Sequence, residues 1–144
     1  MSTVAGVPSF HPVRSAALLN ATCIVCGQNN PHGLRLRFSS QAQITSAQWT
    51  ASEHCQGFQG VIHGGVVATV LDEAMSKAVI ARGWEALTAE LTVRLRAKII
   101  PGEQLTIIGM VVSRRKREIR AEACIRDGAG HERAHAWGKF LVIR

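Results

Sequence analysis

The sequence predicts an α+β fold in which an antiparallel sheet wraps around one central helix. Three observations carry that prediction. Only one segment, Val66 to Val79, repeats its apolar residues at spacings of three and four, the period of a helix with one buried stripe. Several other segments alternate apolar and polar residues, the period of strands with one buried face. The strands after the helix follow one another through short turns, and one helix cannot cover two faces of a sheet, so the sheet must curl about it. A chain of 144 residues, 47% of them hydrophobic, suits one domain able to bury roughly two-thirds of its unfolded surface. It is also short for a self-contained active site, so sites shared between subunits are expected.

Residues 1–33 read as an irregular N-terminal segment, broken by Pro8, Pro12, Gly27, Pro31 and Gly33, with room for a helical turn around Arg14–Asn20. Residues 34–144 read as the single folded domain. Leu34–Phe38 alternates as a strand, and Gln43–Ala51 as a second. Residues 52–65 form a loop containing Gly57, Gly60, Gly64 and Gly65, a density that implies tight turns or close backbone approach. The helix from Val66 should run to Arg82-Gly83, a suitable C-terminal stop. Beyond it, Leu91, Val93, Leu95, Ala97 and Ile99 alternate with Thr92, Arg94, Arg96 and Lys98. Pro101-Gly102 turns the chain into an apolar strand, Gln104–Ser113. Arg114–Arg117 is a basic hairpin tip. Ile119, Ala121, Ala123 and Ile125 alternate again, residues 127–130 turn, and His131–Ile143 forms the last strand.

Lys and Arg number 17 against 10 Asp and Glu, a formal net charge of +7. That balance favours anionic partners: nucleic acid, acidic lipid or a phosphorylated small molecule. Aromatics are 5% of the chain, which disfavours a base-stacking platform. No apolar run approaches the roughly 18 residues of a membrane span. The N-terminus lacks the apolar core of a signal peptide, and one Arg in the first 34 residues is too few for a transit peptide. A cytoplasmic protein that binds neither nucleic acid nor membrane is expected. Four cysteines at this length do not make a disulfide scaffold. Cys23 and Cys26 supply two zinc ligands where four are usual, even with His32 counted as a third. A packed thiol pair, with no metal, is the expectation.

The most informative stretch is Gly60-Val-Ile-His63-Gly64-Gly65, followed by Asp72-Glu73-Ala74-Met75. Two glycines where a loop enters a helix leave backbone N–H groups open to a ligand oxygen. The helix dipole adds partial positive charge there, suited to polarising a carbonyl. Asp72, flanked by Leu71, Ala74 and Met75 two turns on, sits where burial raises a carboxyl pKa and makes it a base or nucleophile. The plainer reading is that the glycines only permit helix packing and the acids are solvated.

The same residues resemble the hotdog-fold acyl-CoA thioesterases of the PaaI-like (phenylacetate-degradation) type. Three further segments agree in order: Cys23-Ile-Val-Cys26-Gly27 with Asn30-Pro31-His-Gly33-Leu34, Gln56-Gly57-Phe-Gln-Gly60, and Thr88-Ala-Glu-Leu-Thr-Val-Arg94. The resemblance implies a hotdog fold, a homodimer with continuous sheets, often paired again into a homotetramer, and active sites at the dimer interface. It implies Asp72 as general base or nucleophile, and Gly64 as the backbone donor that polarises the thioester carbonyl. His63 would shape that turn, and Thr88, from the partner chain, would position water. Gln56 and Gly65 would contact substrate. Glu73 is the alternative base, but it projects about 100° away from Asp72 around the helix. Many relatives carry His before the Gln-Gly, where this chain has Cys55.

Arg114, Arg115, Lys116 and Arg117 read either as a solvated tip or, by resemblance, as a phosphate grip for coenzyme A. Arg94, Arg96 and Lys98 read as a solvated or subunit-facing surface. The sequence therefore points to hydrolysis of an acyl or aryl thioester to free acid and coenzyme A, with no cofactor beyond the coenzyme A of the substrate. The alternatives are an idle hotdog module that binds acyl-CoA as sensor or scaffold and, on charge alone, a nucleic-acid binder.

Overall fold

The structure, a computed structural model, describes residues 20–143 and the backbone of His11–Pro12. Strands β1 (His11–Pro12), β2 (Ser39–Gln41) and β3 (Ile44–Thr50) precede a single helix, α1 (Gly64–Ala81). Strands β4 (Ala86–Leu95), β5 (Gln104–Arg115), β6 (Glu118–Arg126) and β7 (Glu132–Val142) follow it. All pair antiparallel in one sheet, in the order β1-β2-β3-β5-β6-β7-β4. The helical turn expected around Arg14–Asn20 lies, Asn20 apart, outside the described residues.

Helix α1 lies against the sheet with Val67, Val70, Leu71, Ala74, Met75 and Val79 buried among Ile107, Ile119, Ile125 and Phe140. One glycine sets how closely helix and sheet approach: a Cβ on Gly109 would fall 2.4 Å from the carbonyl oxygen of Ala74, so any larger residue would push the helix away. Beside it the buried Thr45 hydroxyl lies 3.1 Å from Ala74 O and 3.2 Å from Gly109 O, a polar clip between helix and sheet.

Three expectations about the elements need correction. Leu34–Phe38 is not a strand. Leu36 and Phe38 are buried while Arg35 and Arg37 are exposed, so the alternation reports the faces. The backbone instead bonds to the cysteine turn, Leu34 N to Ile24 O and Leu36 N to Val25 O, both 2.9 Å. Arg35 also adopts a left-handed φ of 54°, which no ladder accommodates. These bonds draw Val25 into the core. The second correction concerns β4, which ends at Leu95, short of Ile99. It is an edge strand, and Leu87, Leu91 and Leu95 along it are exposed, left uncovered by the described residues. The basic tip is also shorter than expected, since Arg114 and Arg115 pair with Ile119 and Glu118 and only Lys116 and Arg117 turn.

Candidate active site

The start of α1 leaves one amide open. His63 is the N-cap, its φ of −58° and ψ of 131° bringing the chain in extended. Its Nδ1 accepts the Gly65 N–H at 2.8 Å, which in the neutral ring leaves the proton on Nε2. Its carbonyl accepts from Val66 N at 3.0 Å and Val67 N at 3.1 Å. Of the first four helical N–H groups, only that of Gly64 has no acceptor among the described residues. The dipole concentrates positive charge there. A Cβ at Gly64 would meet Leu95 Cδ1 at 2.9 Å, so any side chain there requires Leu95 to turn aside. The amide opens beside an apolar concavity of about 420 Å³ lined by Gly57, Phe58, Val61, Ile62 and His63.

Asp72 is half-buried on the same helix. Thr88 on β4 donates its hydroxyl to Asp72 Oδ1 at 2.7 Å. The ladder between β4 and β7 slips between Thr88 and Glu90, and such a bulge re-aims the neighbouring side chain. Burial pushes the Asp72 carboxyl above its usual range and the charge of Glu73 adds to this, while the Thr88 hydrogen bond opposes them. Thr88 was expected from a partner chain; it is instead bound to Asp72 of its own chain, because β4 folds back along the helix that precedes it.

Gly64 and Asp72 do not meet within one chain. Eight helical steps separate them, about 12 Å along the axis, too far for both to act on one carbonyl carbon. The basic tip is farther still. Arg114 stacks on Trp84 at 4.7 Å, with Arg82 on the same ring at 4.8 Å, just beyond the C-terminus of a helix about 27 Å long. Arg117 is committed to Val142 O through Nε at 3.3 Å and Nη2 at 3.0 Å. Arg115 and Lys116 have free side chains among the described residues.

Gln56 braces its own loop. Its Nε2 donates to Glu53 O at 2.9 Å and its Oε1 accepts from Gly60 N at 2.6 Å. Glu73 turns away from Asp72 to pair with the buried Lys77 at 3.6 Å. Cys23 and Cys26 gather at the same carboxylate, and burial pushes the Cys26 thiol up to about 12, with Glu73 adding to the effect.

The family match spans residues 59–134, more than half of the chain, and includes Gly64, Asp72 and Thr88. The chain belongs to the thioesterase superfamily. Among solved structures, a thioesterase superfamily protein is 27% identical with a TM-score of 0.78, over 81% of this chain and 61% of its own. This chain thus spans less than two-thirds of that relative's length. The PaaI protein of the E. coli phenylacetic acid degradation operon is 20% identical with a TM-score of 0.72, over 77% of this chain and 81% of its own. A hypothetical thioesterase protein of Streptococcus pneumoniae TIGR4, solved with coenzyme A, is 19% identical with a TM-score of 0.67, over 69% and 77%. That protein has also been solved with one aspartate and with one threonine replaced by alanine, positions sixteen apart. No curated protein matches the chain. The chain has the α+β hotdog fold, an antiparallel sheet around one helix.

Three contributors escaped the sequence. Leu95 roofs Gly64 from a strand whose sequence position says nothing of that contact. Trp84 holds Arg114; its place between Gly83 and β4 was the only signal. Glu73 reads as the alternative base or as a solvent-facing or ion-paired acid; that its partner is the buried Lys77, one helical turn on, is what escaped.

Proposed function

We propose that the protein is an acyl-CoA thioesterase that hydrolyses an acyl or aryl thioester to the free carboxylic acid and coenzyme A. The reading is carried by one observation: a half-buried Asp72 whose carboxylate is oriented by Thr88 at 2.7 Å. The pneumococcal relative supports it, since the aspartate and threonine substituted there repeat the sixteen-residue spacing of Asp72 and Thr88, and that protein was solved with coenzyme A.

The site is completed by a second copy. The long edge strand β4, with Leu87, Leu91 and Leu95 exposed, is the surface a soluble sheet has most reason to cover. Two copies joined there about a two-fold axis set their helices antiparallel, bringing Gly64 of one towards Asp72 of the other. The Gly64 N–H then polarises the thioester carbonyl. Asp72 Oδ2, without a hydrogen-bond partner among the described residues, takes a proton from water while Thr88 holds Oδ1. The water oxygen bonds to the carbonyl carbon, and the resulting oxyanion rests on the Gly64 amide. The carbon–sulfur bond breaks, and the proton on Asp72 passes to the departing thiolate. A raised carboxyl pKa suits a group that both takes and returns a proton. Arg115 and Lys116 supply positive charge for the nucleotide phosphates of coenzyme A.

Free-thiol release from a panel of short, long and aromatic acyl-CoA esters tests this. Turnover of at least one member is expected, and Asp72→Asn, nearly isosteric, should abolish it with the fold retained. Binding of acyl-CoA without turnover across the panel would leave the idle binding module instead.

A further inference from the structure

We infer that Cys23, Cys26 and Glu73 form a binding site for a thiophilic divalent cation of the zinc class, which clips the N-terminal segment to helix α1. One Cys-x-x-Cys is two ligands short of a usual zinc site; the tertiary structure supplies a third ligand that the sequence does not show. One sulfur each from Cys23 and Cys26 and one carboxylate oxygen of Glu73 all lie within 4.8 Å of one another. Cys23 Sγ is 3.9 Å from Glu73 Oε2. Around a tetrahedral zinc ion, with Zn–S near 2.3 Å and Zn–O near 2.1 Å, neighbouring ligand atoms stand about 3.6–3.8 Å apart. The side chains therefore need to close by about 1 Å at most.

The turn carrying the two thiols is built to present sulfur. The Val25 N–H points at Cys23 Sγ at 3.4 Å and fixes where that sulfur sits. Gly27 N bonds Cys23 O at 3.0 Å. A Cβ on Gly27 would fall 2.3 Å from Cys23 N, so the tight turn demands glycine there. The bonds from Leu34 and Leu36 to Ile24 and Val25 fix the turn from the other side.

Charge also balances. Lys77 is buried and lies 3.6 Å from Glu73 Oε2. Two neutral thiols with this ion pair sum to zero. A divalent cation that displaces both thiol protons to solvent adds two positive and two negative charges, and the sum stays at zero. The exchange therefore leaves no uncompensated charge in a half-buried site. All three ligand residues are half-buried, not sealed, so water can reach the fourth position. His32 is not part of the cluster.

The full chain is stripped with chelator under reductant, dialysed, and titrated with Zn²⁺ and with Co²⁺. About one equivalent of zinc should be retained, with a raised Tm. Cobalt should give a thiolate charge-transfer band and the visible bands of a tetrahedral site. Cys23→Ser and Cys26→Ser should each lose the charge-transfer signal, and Cys55→Ser should keep it. Glu73→Gln should weaken affinity about tenfold or more; if Glu73→Gln does not fold because Lys77 is stranded, the cysteine variants decide. The proposal is overturned if cobalt gives no thiolate band, if zinc is lost on dialysis with no change in Tm, or if Cys55→Ser removes the signal instead. A Cys23–Cys26 disulfide that forms in air and, once reduced, takes up no metal overturns it equally.

Discussion

Replacing Gly64 by proline deletes one proton donor and leaves the helix in place. Gly64 is the first helical residue after the N-cap His63, where proline's fixed φ suits the helix and the N–H serves no intrahelical bond. His63, at φ −58° and ψ 131°, already has the extended conformation required before a proline. The one obstacle is Leu95, whose Cδ1, the far end of a flexible side chain, would lie 2.9 Å from a Cβ at position 64. Moving it costs about 1 kcal/mol, partly offset by the lower chain entropy of proline, about 0.4–1 kcal/mol. Tm should therefore stay within about 4 °C of the parent. Loss of an oxyanion donor costs about 2.7–4 kcal/mol, a fall of about 10²–10³ in kcat. Gly64→Ala adds the same Cβ but keeps the N–H, and separates crowding from chemistry. The assay is thiol-release kinetics beside thermal melts. A Gly64→Pro enzyme that melts normally and keeps its kcat would refute the role of this amide, as would a Gly64→Ala enzyme that falls equally far.

Mixing Gly64→Pro chains with Asp72→Asn chains should restore activity, because a hybrid dimer holds one intact site; random exchange returns about a quarter of the parent rate, whereas no recovery after verified exchange would place both groups in one chain. Converting Arg115 and Lys116 together to Ser should raise KM for coenzyme A esters with little change in kcat, and should leave KM for pantetheine esters, which lack the nucleotide, unchanged; equal effects on both would refute the phosphate role. The raised carboxyl pKa of Asp72 places the acidic limb of the rate profile above the ordinary aspartate range near 3.9, and a limb at or below that range would contradict Asp72 as base. The same shift has a stability consequence. A carboxyl raised in the folded state binds its proton more tightly there, so its contribution is present below the unfolded pKa and lost as pH rises through the folded one. Asp72→Asn should therefore melt no lower than the parent at neutral pH, and a marked drop in Tm would show that the charged carboxylate stabilises the fold.

Much of the fold was legible because burial imposes a period on the chain. The repeat from Val66 to Val79 located α1, and the alternation in β6 and β7 located strands that pack on it. Period two reports which side chains face the core; it does not report what the backbone bonds to. Leu34–Phe38 has buried and exposed faces as read, yet its amides go to the cysteine turn. In β4 the alternation is present and Leu91 and Leu95 are exposed all the same, because no described residue packs over this edge strand.

The sequence by itself determined the helix and the glycines at its start, since these follow from local sterics and periodicity that neighbours along the chain impose on one another. Only the tertiary structure decided that Gly64 keeps the one open amide, that Thr88 binds Asp72 of its own chain, and that Glu73 meets Cys23, Cys26 and Lys77. Most of those contacts join residues far apart along the chain, and such pairings are fixed by how the sheet closes on the helix, a property no local spacing encodes.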